Sequence, residues 1–196
     1  MHTAVIILAA GKGERVATIA AKPFLKFQGK SFLEISVEKA QKADFDSIIV
    51  VTSKLLVHRV KYLNLNIEVV VNLRPEMGML SSIHCGLDCL HKSTTGFLLN
   101  PVDFPLVEQK TYHKLWESHQ NEKDCIIKPV YKGKAGHPVI FPAVVFNDLK
   151  KAPLNKGAKF VLQQHPNLIR ELEVDDPGIL ININTPEVYN KYSKQI

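Results

Sequence analysis

The fold of this chain is decided by the stretch from Ala4 to Glu34, which reads AVIILAAGKGERVATIAAKPFLKFQGKSFLE. It begins with the apolar run Val5–Leu8, which is rich in β-branched residues and long enough for one buried strand. A basic, glycine-punctuated turn follows at Ala9–Arg15, where glycine allows main-chain N–H groups to approach a ligand closely. Lys22 then adds a further positive charge. This order predicts a cradle for a polyphosphate, which needs backbone donors and positive charge in one place.

Better-known glycine signatures do not fit this stretch. The dinucleotide fingerprint G-x-G-x-x-G/A would use Gly11 and Gly13, but its third small residue is replaced by Val16. The phosphate-loop triplet Gly29-Lys30-Ser31 lacks its first glycine, because Phe24 stands in that position, and no strand leads into it. The other interpretation is a tight strand-to-helix turn with incidental surface cations, and the turn alone does not decide between the two.

Length and composition limit the class of protein. A chain of 196 residues is expected to form one domain over residues 1–196. The net charge of +6 comes from lysines scattered along the whole chain, whereas a nucleic-acid-binding protein more often concentrates them in one stripe with aromatic residues. No apolar run approaches the roughly 20 residues of a membrane span. The three cysteines indicate a reducing compartment. We therefore expect a cytoplasmic protein that binds neither nucleic acid nor membrane.

Short β-branched runs alternate with longer amphipathic segments, and this alternation predicts an α/β sheet. After the first strand, further strands are predicted at Ser47–Val51, Ile67–Val71, Gly96–Leu99, Cys125–Val130, Val139–Phe141, Leu168–Val174 and Ile179–Ile183. Helices are predicted at Ser31–Ala43, Leu55–Leu63, Leu80–Leu90, Gln109–His119, Ala143–Lys150, Ala158–Gln164 and Pro186–Tyr192.

Asp103 is the most informative single residue for chemistry. It follows a hydrophobic strand and lies between Pro101 and Pro105, so its carboxylate is held where that strand ends. Mg²⁺ needs such a carboxylate when it bridges the protein to substrate phosphates. The alternative is an aspartate that begins a turn or caps a helix.

Asn182 and Asn184 lie at the end of the last predicted strand. An amide oxygen from either residue would complete a metal shell opposite Asp103. The plain interpretation of this segment is a helix N-cap at Thr185 with Pro186 at the first helical position, and both interpretations are compatible.

Two further segments carry polar groups towards the predicted site. Ser81 and Ser82 follow the third strand and either cap the next helix or offer hydroxyls to a base or ribose. Gly136-His137-Pro138 lies in a loop between two strands and would form a lip on the substrate side. His137 there either donates a hydrogen bond to a phosphate or serves the structure.

Five motifs in this order resemble those of the MobA-like nucleotidyltransferases, the group that contains the molybdenum-cofactor cytidylyltransferases and guanylyltransferases. The motifs, which span nearly the whole chain, are Leu8–Arg15 with Lys22–Leu25, Gly78–Ile83, Val102–Pro105, Gly136–Val139 and Asn182–Glu187. The resemblance implies a Rossmann-like three-layer α/β/α sandwich of the nucleotide-diphospho-sugar transferase type, with a mostly parallel sheet.

The resemblance also implies an activity and a set of site residues. The reaction would be Mg²⁺-dependent transfer of NMP from an NTP, CTP or GTP, to a phosphorylated acceptor such as molybdopterin or molybdenum cofactor, with release of pyrophosphate. A molybdoenzyme or chaperone would be a transient partner. The implied nucleotide-binding residues are Leu8, Ala9, Ala10, Gly11, Lys12, Gly13, Arg15, Lys22, Ser81 and Ser82. The implied catalytic residues are Lys22, Arg15 and Asp103. The acceptor would be bound by Gly136, His137 and Pro138, and Mg²⁺ by Asp103 with Asn182 or Asn184.

Several positions depart from the family pattern. Val16-Ala17 replaces a Met-Gly pair, and Leu80 replaces the first serine of the mid-chain motif. The opening Ala9-Ala10-Gly11 is similar to that of cytidylyl enzymes, whereas the two asparagines of the last motif are similar to those of guanylyl enzymes. The alternatives are therefore a sugar- or alcohol-phosphate nucleotidyltransferase and a nucleotide- or cofactor-binding module without catalysis.

Overall fold

The computed structural model of the protein describes residues 2–11 and 21–193. The strands are β1 (His2–Ala9), β2 (Lys26–Phe27), β3 (Lys30–Ser31), β4 (Ser47–Ser53), β5 (Glu68–Asn72), β6 (Thr94–Pro101), β7 (Ile126–Tyr131), β8 (Lys134–Ala135), β9 (Val139–Pro142) and β10 (Ile169–Glu173). The α-helices are α1 (Phe32–Gln41), α2 (Val57–Tyr62), α3 (Met79–Leu87), α4 (Gln109–Asn121), α5 (Phe146–Lys151), α6 (Lys159–Gln164) and α7 (Pro186–Ser193).

The main sheet has the strand order β10-β7-β9-β6-β1-β4-β5, and β8 pairs with β7. β1 lies at its centre, parallel to both β4 and β6, while β4 is parallel to β5 and β7 to β10. β9 runs antiparallel to both of its neighbours, β6 and β7. This arrangement confirms the predicted α/β fold with a mostly parallel sheet, and it places the carboxyl ends of β1, β4, β5 and β6 at one edge.

Helices cover both faces of the sheet because β1 is apolar on both sides. Val5 and Ile7 belong to the core shared with α1 and α4, whereas Ala4 and Ile6 belong to the core shared with α3, α5 and α6. All four β1 side chains are fully buried. The result is the expected three-layer sandwich. No helix of the described segments is long and apolar enough to cross a membrane.

The Gly29-Lys30-Ser31 triplet is a structural turn and helix cap. Gln28 and Gly29 have φ values of 51° and 82° and turn the chain between β2 and β3. Ser31 forms a capping box with Glu34 at the start of α1: the Ser31 hydroxyl accepts from the Glu34 N–H, and the Glu34 carboxylate accepts from the Ser31 N–H. Lys30 forms an exposed ion pair with Glu38. The resemblance of this triplet to a phosphate loop is therefore coincidental.

The prediction of a strand at Ile179–Ile183 is wrong. The chain forms a 3-10 turn at Pro177–Leu180 and then continues without a ladder partner. Asp176 caps this turn by accepting from the Gly178 N–H at 2.8 Å. Ile179 and Ile183 are fully buried, so packing alone explains the apolar pattern that suggested a strand.

The predicted helix N-cap at Thr185 is confirmed. α7 begins with Pro186 at its first position, and the Val188 N–H donates to the Thr185 hydroxyl at 3.4 Å. Thr185 is thus the N-cap that the sequence predicts.

Candidate active site

Three polar side chains from distant parts of the chain meet at the carboxyl edge of the sheet. The Lys22 ammonium lies 3.1 Å from Asp103 Oδ2 and also donates to Asn184 Oδ1. The side chains of Lys22 and Asp103 are 17% and 14% exposed, so water only partly screens this ion pair. The sequence analysis named all three residues, and the fold brings them together.

Asp103 is fixed through its backbone, just beyond the end of β6. The Val102 N–H donates to the Leu8 carbonyl of the neighbouring β1, and the Asp103 carbonyl accepts from the Ile183 N–H at 2.8 Å. Because Ile183 is bonded there, the residues on either side of it, Asn182 and Asn184, are held beside Asp103. This single hydrogen bond explains why two segments about eighty residues apart act as one site.

Lys39 supports the same loop from α1. Its ammonium donates to the carbonyls of Pro105, at 2.7 Å, and of Val107. Both carbonyls belong to the loop that follows Asp103. Burial lowers the pKa of Lys39 to about 8, although the carboxylates of Asp176, Glu38 and Glu108 act in the opposite direction. A lysine that is largely withdrawn from water here orders main-chain carbonyls.

Asn182 differs from Asn184 in its contacts. Its Oδ1 atom is buried and has no hydrogen-bond partner among the described residues. A buried amide oxygen without a partner is costly unless an ion or water satisfies it. Asn182 therefore carries a buried acceptor without a partner among the described residues, next to the Ile183 bond to Asp103, whereas the Oδ1 of Asn184 is bound to Lys22.

A cavity of about 220 Å³ lies at the carboxyl end of β1. It is lined by Leu8, Ala9, Ala10, Gly11, Lys22, Pro23, Pro75, Gly78, Met79, Ser82, Pro101, Val102 and Asp103. Most of the residues that the motifs assign to a nucleotide are thus in one place. Lys12, Gly13 and Arg15, the remaining cations and glycine of the opening turn, lie outside the described residues.

The two serines of the mid-chain motif are not caps. α3 begins at Met79 with Gly78 as its N-cap, at a φ of 96° that strongly favours glycine. Ser81 and Ser82 lie inside the helix, and their hydroxyls accept from the Asn72 amide at 2.8 and 2.9 Å. The capping interpretation is therefore wrong, and Asn72 at the end of β5 orients both hydroxyls.

A second, larger cavity of about 790 Å³ adjoins the first. The two share Gly78 and Met79, and the larger one is lined by Gly136 and His137 of the predicted acceptor segment. Three lysines also line it, at positions 128, 156 and 159, and its apolar lining comes from Leu99, Val139, Phe141, Leu154 and Leu162. Pro138 is buried and is not among the lining residues.

The segment Gly136–Pro138 is held tightly against the 3-10 turn at Pro177–Leu180. The His137 N–H donates to the Ile179 carbonyl at 3.0 Å. A Cβ at position 136 would lie 2.2 Å from the same carbonyl oxygen, so only glycine fits there. The glycine of this motif is therefore required by packing.

His137 lines the larger cavity. Burial lowers its pKa, although the nearby Asp103 carboxylate acts in the opposite direction. Its ring packs on Phe104 with centroids 4.8 Å apart, and its Nδ1 atom is buried without a partner among the described residues. A neutral imidazole offers a single N–H donor and one acceptor rather than a positive charge.

Five residues of the site are not predicted as such from the sequence: Asn72, Lys39 and the three lysines of the larger cavity. Asn72 had a detectable signal, because a polar residue directly follows the apolar run of a parallel strand at its carboxyl end. Lys39 and the cavity lysines had none, since each looks like any surface lysine until the fold places it.

The fold is that of a Rossmann-like α/β protein, and its smaller cavity lies outside the carboxyl ends of the parallel strands, where such folds bind ligands. The sequence agrees with this class, since the family described as MobA-like NTP transferase domain matches residues 5–168. The chain therefore belongs to the MobA-like NTP transferase family, whose members are nucleotidyltransferases.

Individual proteins agree with this assignment. The bifunctional protein GlmU of Clostridium perfringens is 29% identical over 125 residues, which cover 63% of this chain and 27% of GlmU. The chain thus matches only about a quarter of the length of that curated relative.

Among solved structures, Rv0371c of Mycobacterium tuberculosis H37Rv superimposes with a TM-score of 0.85 at 24% identity, covering 98% of this chain and 97% of that one. The manganese complex of Rv0371c superimposes with a TM-score of 0.82 at 22% identity, covering 100% of both chains. The molybdopterin-guanine dinucleotide biosynthesis protein A of Archaeoglobus fulgidus gives a TM-score of 0.70 at 17% identity, covering 97% and 96%. At these identities the structures support the shared fold.

Proposed function

We propose that the protein transfers NMP from CTP or GTP to a phosphorylated acceptor, with Mg²⁺ as cofactor and pyrophosphate as the second product. The observation that carries this proposal is the contact of Lys22 with both Asp103 and Asn184, because Lys22 and Asp103 line the smaller of two adjoining cavities. One cavity suits a nucleotide and the other an acceptor. The α-phosphate would lie in the smaller cavity, where Lys22 and Asp103 stand, and the acceptor phosphate would reach it from the larger one.

The nucleotide would occupy the smaller cavity. Leu8–Gly11 and Ser82, which line this cavity, would contact the nucleotide. Ser81 would assist from the neighbouring position of α3. By motif, Lys12, Gly13 and Arg15 would hold the β- and γ-phosphates, with Arg15 catalytic. Such contacts bind and orient the triphosphate, and positioning supplies much of the catalysis in phosphoryl transfer.

The oxygen donors of the site fit a Mg²⁺ ion. Asp103 Oδ2 and Asn184 Oδ1 already converge on one cation, the Lys22 ammonium, and Asn182 contributes a buried oxygen without a partner among the described residues. Mg²⁺ is typically held by one or two protein oxygens together with substrate phosphates. Asp103 would hold it with Asn184 or Asn182. When bound, the ion would stabilise the negative charge of the leaving pyrophosphate. The manganese complex of the structurally similar Rv0371c supports a divalent ion in this fold.

The residues of the chain would position the two substrates and neutralise negative charge. The acceptor phosphate would attack the α-phosphorus directly, without a covalent nucleophile from the protein. Lys22 would neutralise charge where the α-phosphate meets the acceptor, because it stands beside Asp103 at the edge of the smaller cavity. Removal of a contact that strengthens in the transition state typically costs about 3 kcal/mol, which is roughly a hundredfold in rate.

The acceptor would occupy the larger cavity. Gly136 and His137 would line it, with Pro138 behind them, and the neutral His137 would donate one hydrogen bond to the acceptor. A volume of about 790 Å³ with apolar walls suits a ring-bearing acceptor better than a small sugar phosphate. The cavity lysines would bind its negative charge. A molybdopterin-type acceptor is consistent with these properties, and the name of the Archaeoglobus fulgidus relative points the same way.

Pyrophosphate release tests this proposal. Each of CTP, GTP, UTP and ATP would be combined with Mg²⁺ and with molybdopterin, molybdenum cofactor or a panel of sugar and alcohol phosphates. We expect release with one NTP–acceptor pair and a loss of about a hundredfold or more in Asp103→Ala. Lys30→Met is the matched control, because Lys30 forms an exposed ion pair away from the cavities and its loss should leave the rate unchanged.

The same experiment separates the alternatives. If pyrophosphate is released only with a sugar or alcohol phosphate, that compound is the acceptor in place of a molybdopterin-type molecule. Mg²⁺-dependent NTP binding in calorimetry without any release would favour a binding module. Absence of NTP binding would contradict the proposal altogether.

A further inference from the structure

The ammonium of Lys22 occupies the same oxygens that the proposed metal site offers. It contacts Asp103 Oδ2 at 3.1 Å and donates to Asn184 Oδ1. Both charged side chains are more than four-fifths withdrawn from solvent, with 17% and 14% exposure. An ion pair in such a setting is stronger than one on the open surface, because water and salt screen it less.

The backbone beneath Lys22 leaves only its side chain free to move. Lys22–Phe24 forms a 3-10 turn in which the Phe24 N–H donates to Ala21 and the Leu25 N–H donates to Lys22. Pro23 and Leu25 are buried, and the Arg59 guanidinium lies 4.0 Å from the centre of the Phe24 ring. The four-carbon stem of the lysine can therefore swing while its anchor stays in place.

A divalent ion bound to these two oxygens would stand next to the ammonium, because each oxygen already accepts from Lys22. Mg²⁺ or Mn²⁺ needs direct contact with its oxygen ligands at roughly 2.1 Å. Two cations that close together would also repel each other strongly in a partly buried site. The phosphates of a nucleotide in the smaller cavity would offer a destination for a displaced lysine, because Lys22 also lines that cavity.

We propose that Lys22 competes with the divalent ion for Asp103 and Asn184, and that a bound nucleotide admits the ion by drawing Lys22 to its phosphates. This inference rests on the proposed function for the identity of the site. It adds an order of events: the metal binds weakly by itself and tightly together with the nucleotide. The coupling is reciprocal, so the metal also strengthens nucleotide binding.

The test measures binding of Mn²⁺ alone to the full chain, by the electron paramagnetic resonance signal of the free ion. Lys22→Met removes the charge while keeping a side chain of similar length, and Lys22→Gln is a second neutral variant. We expect both to bind Mn²⁺ at least about tenfold more tightly than the wild type, since the competing cation is gone. Lys30→Met should match the wild type, and Asp103→Asn combined with Lys22→Met should lose the gain.

A second measurement follows the relaxation of water protons, which distinguishes protein-bound Mn²⁺ from Mn²⁺ held by free nucleotide. Saturating CTP or GTP should tighten Mn²⁺ binding to the wild type by at least about tenfold, and should do much less in Lys22→Met.

Mn²⁺ binding by both neutral variants that is no tighter than by the wild type would overturn the inference. If nucleotide tightens Mn²⁺ binding equally in the wild type and in the variants, the inference is overturned as well. These results are distinct from failure of the proposed function, which pyrophosphate release reports: a protein that releases pyrophosphate but shows no competition retains the function and loses only this inference.

Discussion

Gly136→Ala should destabilise the protein, because its packing allows no side chain. The new Cβ would lie 2.2 Å from the Ile179 carbonyl oxygen and 2.7 Å from its carbon, and both are backbone atoms that cannot rotate away. Ordinary contact begins at 3.4 Å, so the two segments must separate by roughly 1 Å. Overpacking of this kind costs about 1–3 kcal/mol, and weakening the 3.0 Å bond from the His137 N–H to Ile179 adds about 1 kcal/mol.

One effect acts in the opposite direction. Alanine reduces the conformational entropy of the unfolded chain and returns about 0.5–1 kcal/mol. The net expectation is a free energy of unfolding lower by about 1–3.5 kcal/mol, and a midpoint lower by roughly 2–14 °C for a chain of this size. Because the shift also moves His137, the KM for the acceptor should rise more than the KM for the NTP.

Urea unfolding followed by far-ultraviolet circular dichroism measures the first effect, and initial rates with each substrate varied in turn measure the second. Gly11→Ala is the matched comparison. No atom of the described residues other than its chain neighbours lies within 4 Å of its Cβ, yet Gly11 lines the smaller cavity. Gly11→Ala should leave the free energy of unfolding unchanged and raise the KM for the NTP. A Gly136→Ala protein whose free energy of unfolding stays within about 0.5 kcal/mol of the wild type would refute the packing argument.

Two further predictions concern groups behind the site. Asn72→Ala leaves two serine hydroxyls without their donor, so it should lower the free energy of unfolding by about 1–3 kcal/mol and raise the KM for the NTP. The exposed Asn66→Ala is its control, and equal behaviour of the two variants would contradict the assigned role. Burial lowers the pKa of Lys39 from 10.5 to about 8, so the folded protein binds fewer protons there than the unfolded chain between these pH values. The free energy of unfolding should therefore rise relative to that of Lys39→Met as the pH increases from about 8 to 10.5, and a difference independent of pH would count against this reasoning.

Local patterns predicted most of the elements, and their failures have physical causes. β1 and α1 were predictable because each depends on a pattern within a few residues, which is the continuous apolar run Val5–Leu8 for β1 and apolar residues at helical spacing for α1. The segment Ile179–Ile183 was wrongly predicted as a strand, since a buried irregular segment and a buried strand carry the same apolar residues. Ser81 and Ser82 were predicted as possible caps because the sequence does not reveal that Gly78 begins the helix.

The sequence by itself determined the class of fold, the family and the chemical types needed at the site. It supplied a glycine turn, a lysine, a carboxylate held between prolines and two amides, because each of these is a local feature of the chain. Only the tertiary structure decided which of them meet. Lys22 is 81 residues from Asp103 and 162 from Asn184, and the parallel sheet, the bond from Ile183 to Asp103 and the buried turn at Lys22 bring them together. The size of the larger cavity and the contact of Lys22 with Asp103 follow from distances in space, which no spacing along the chain encodes.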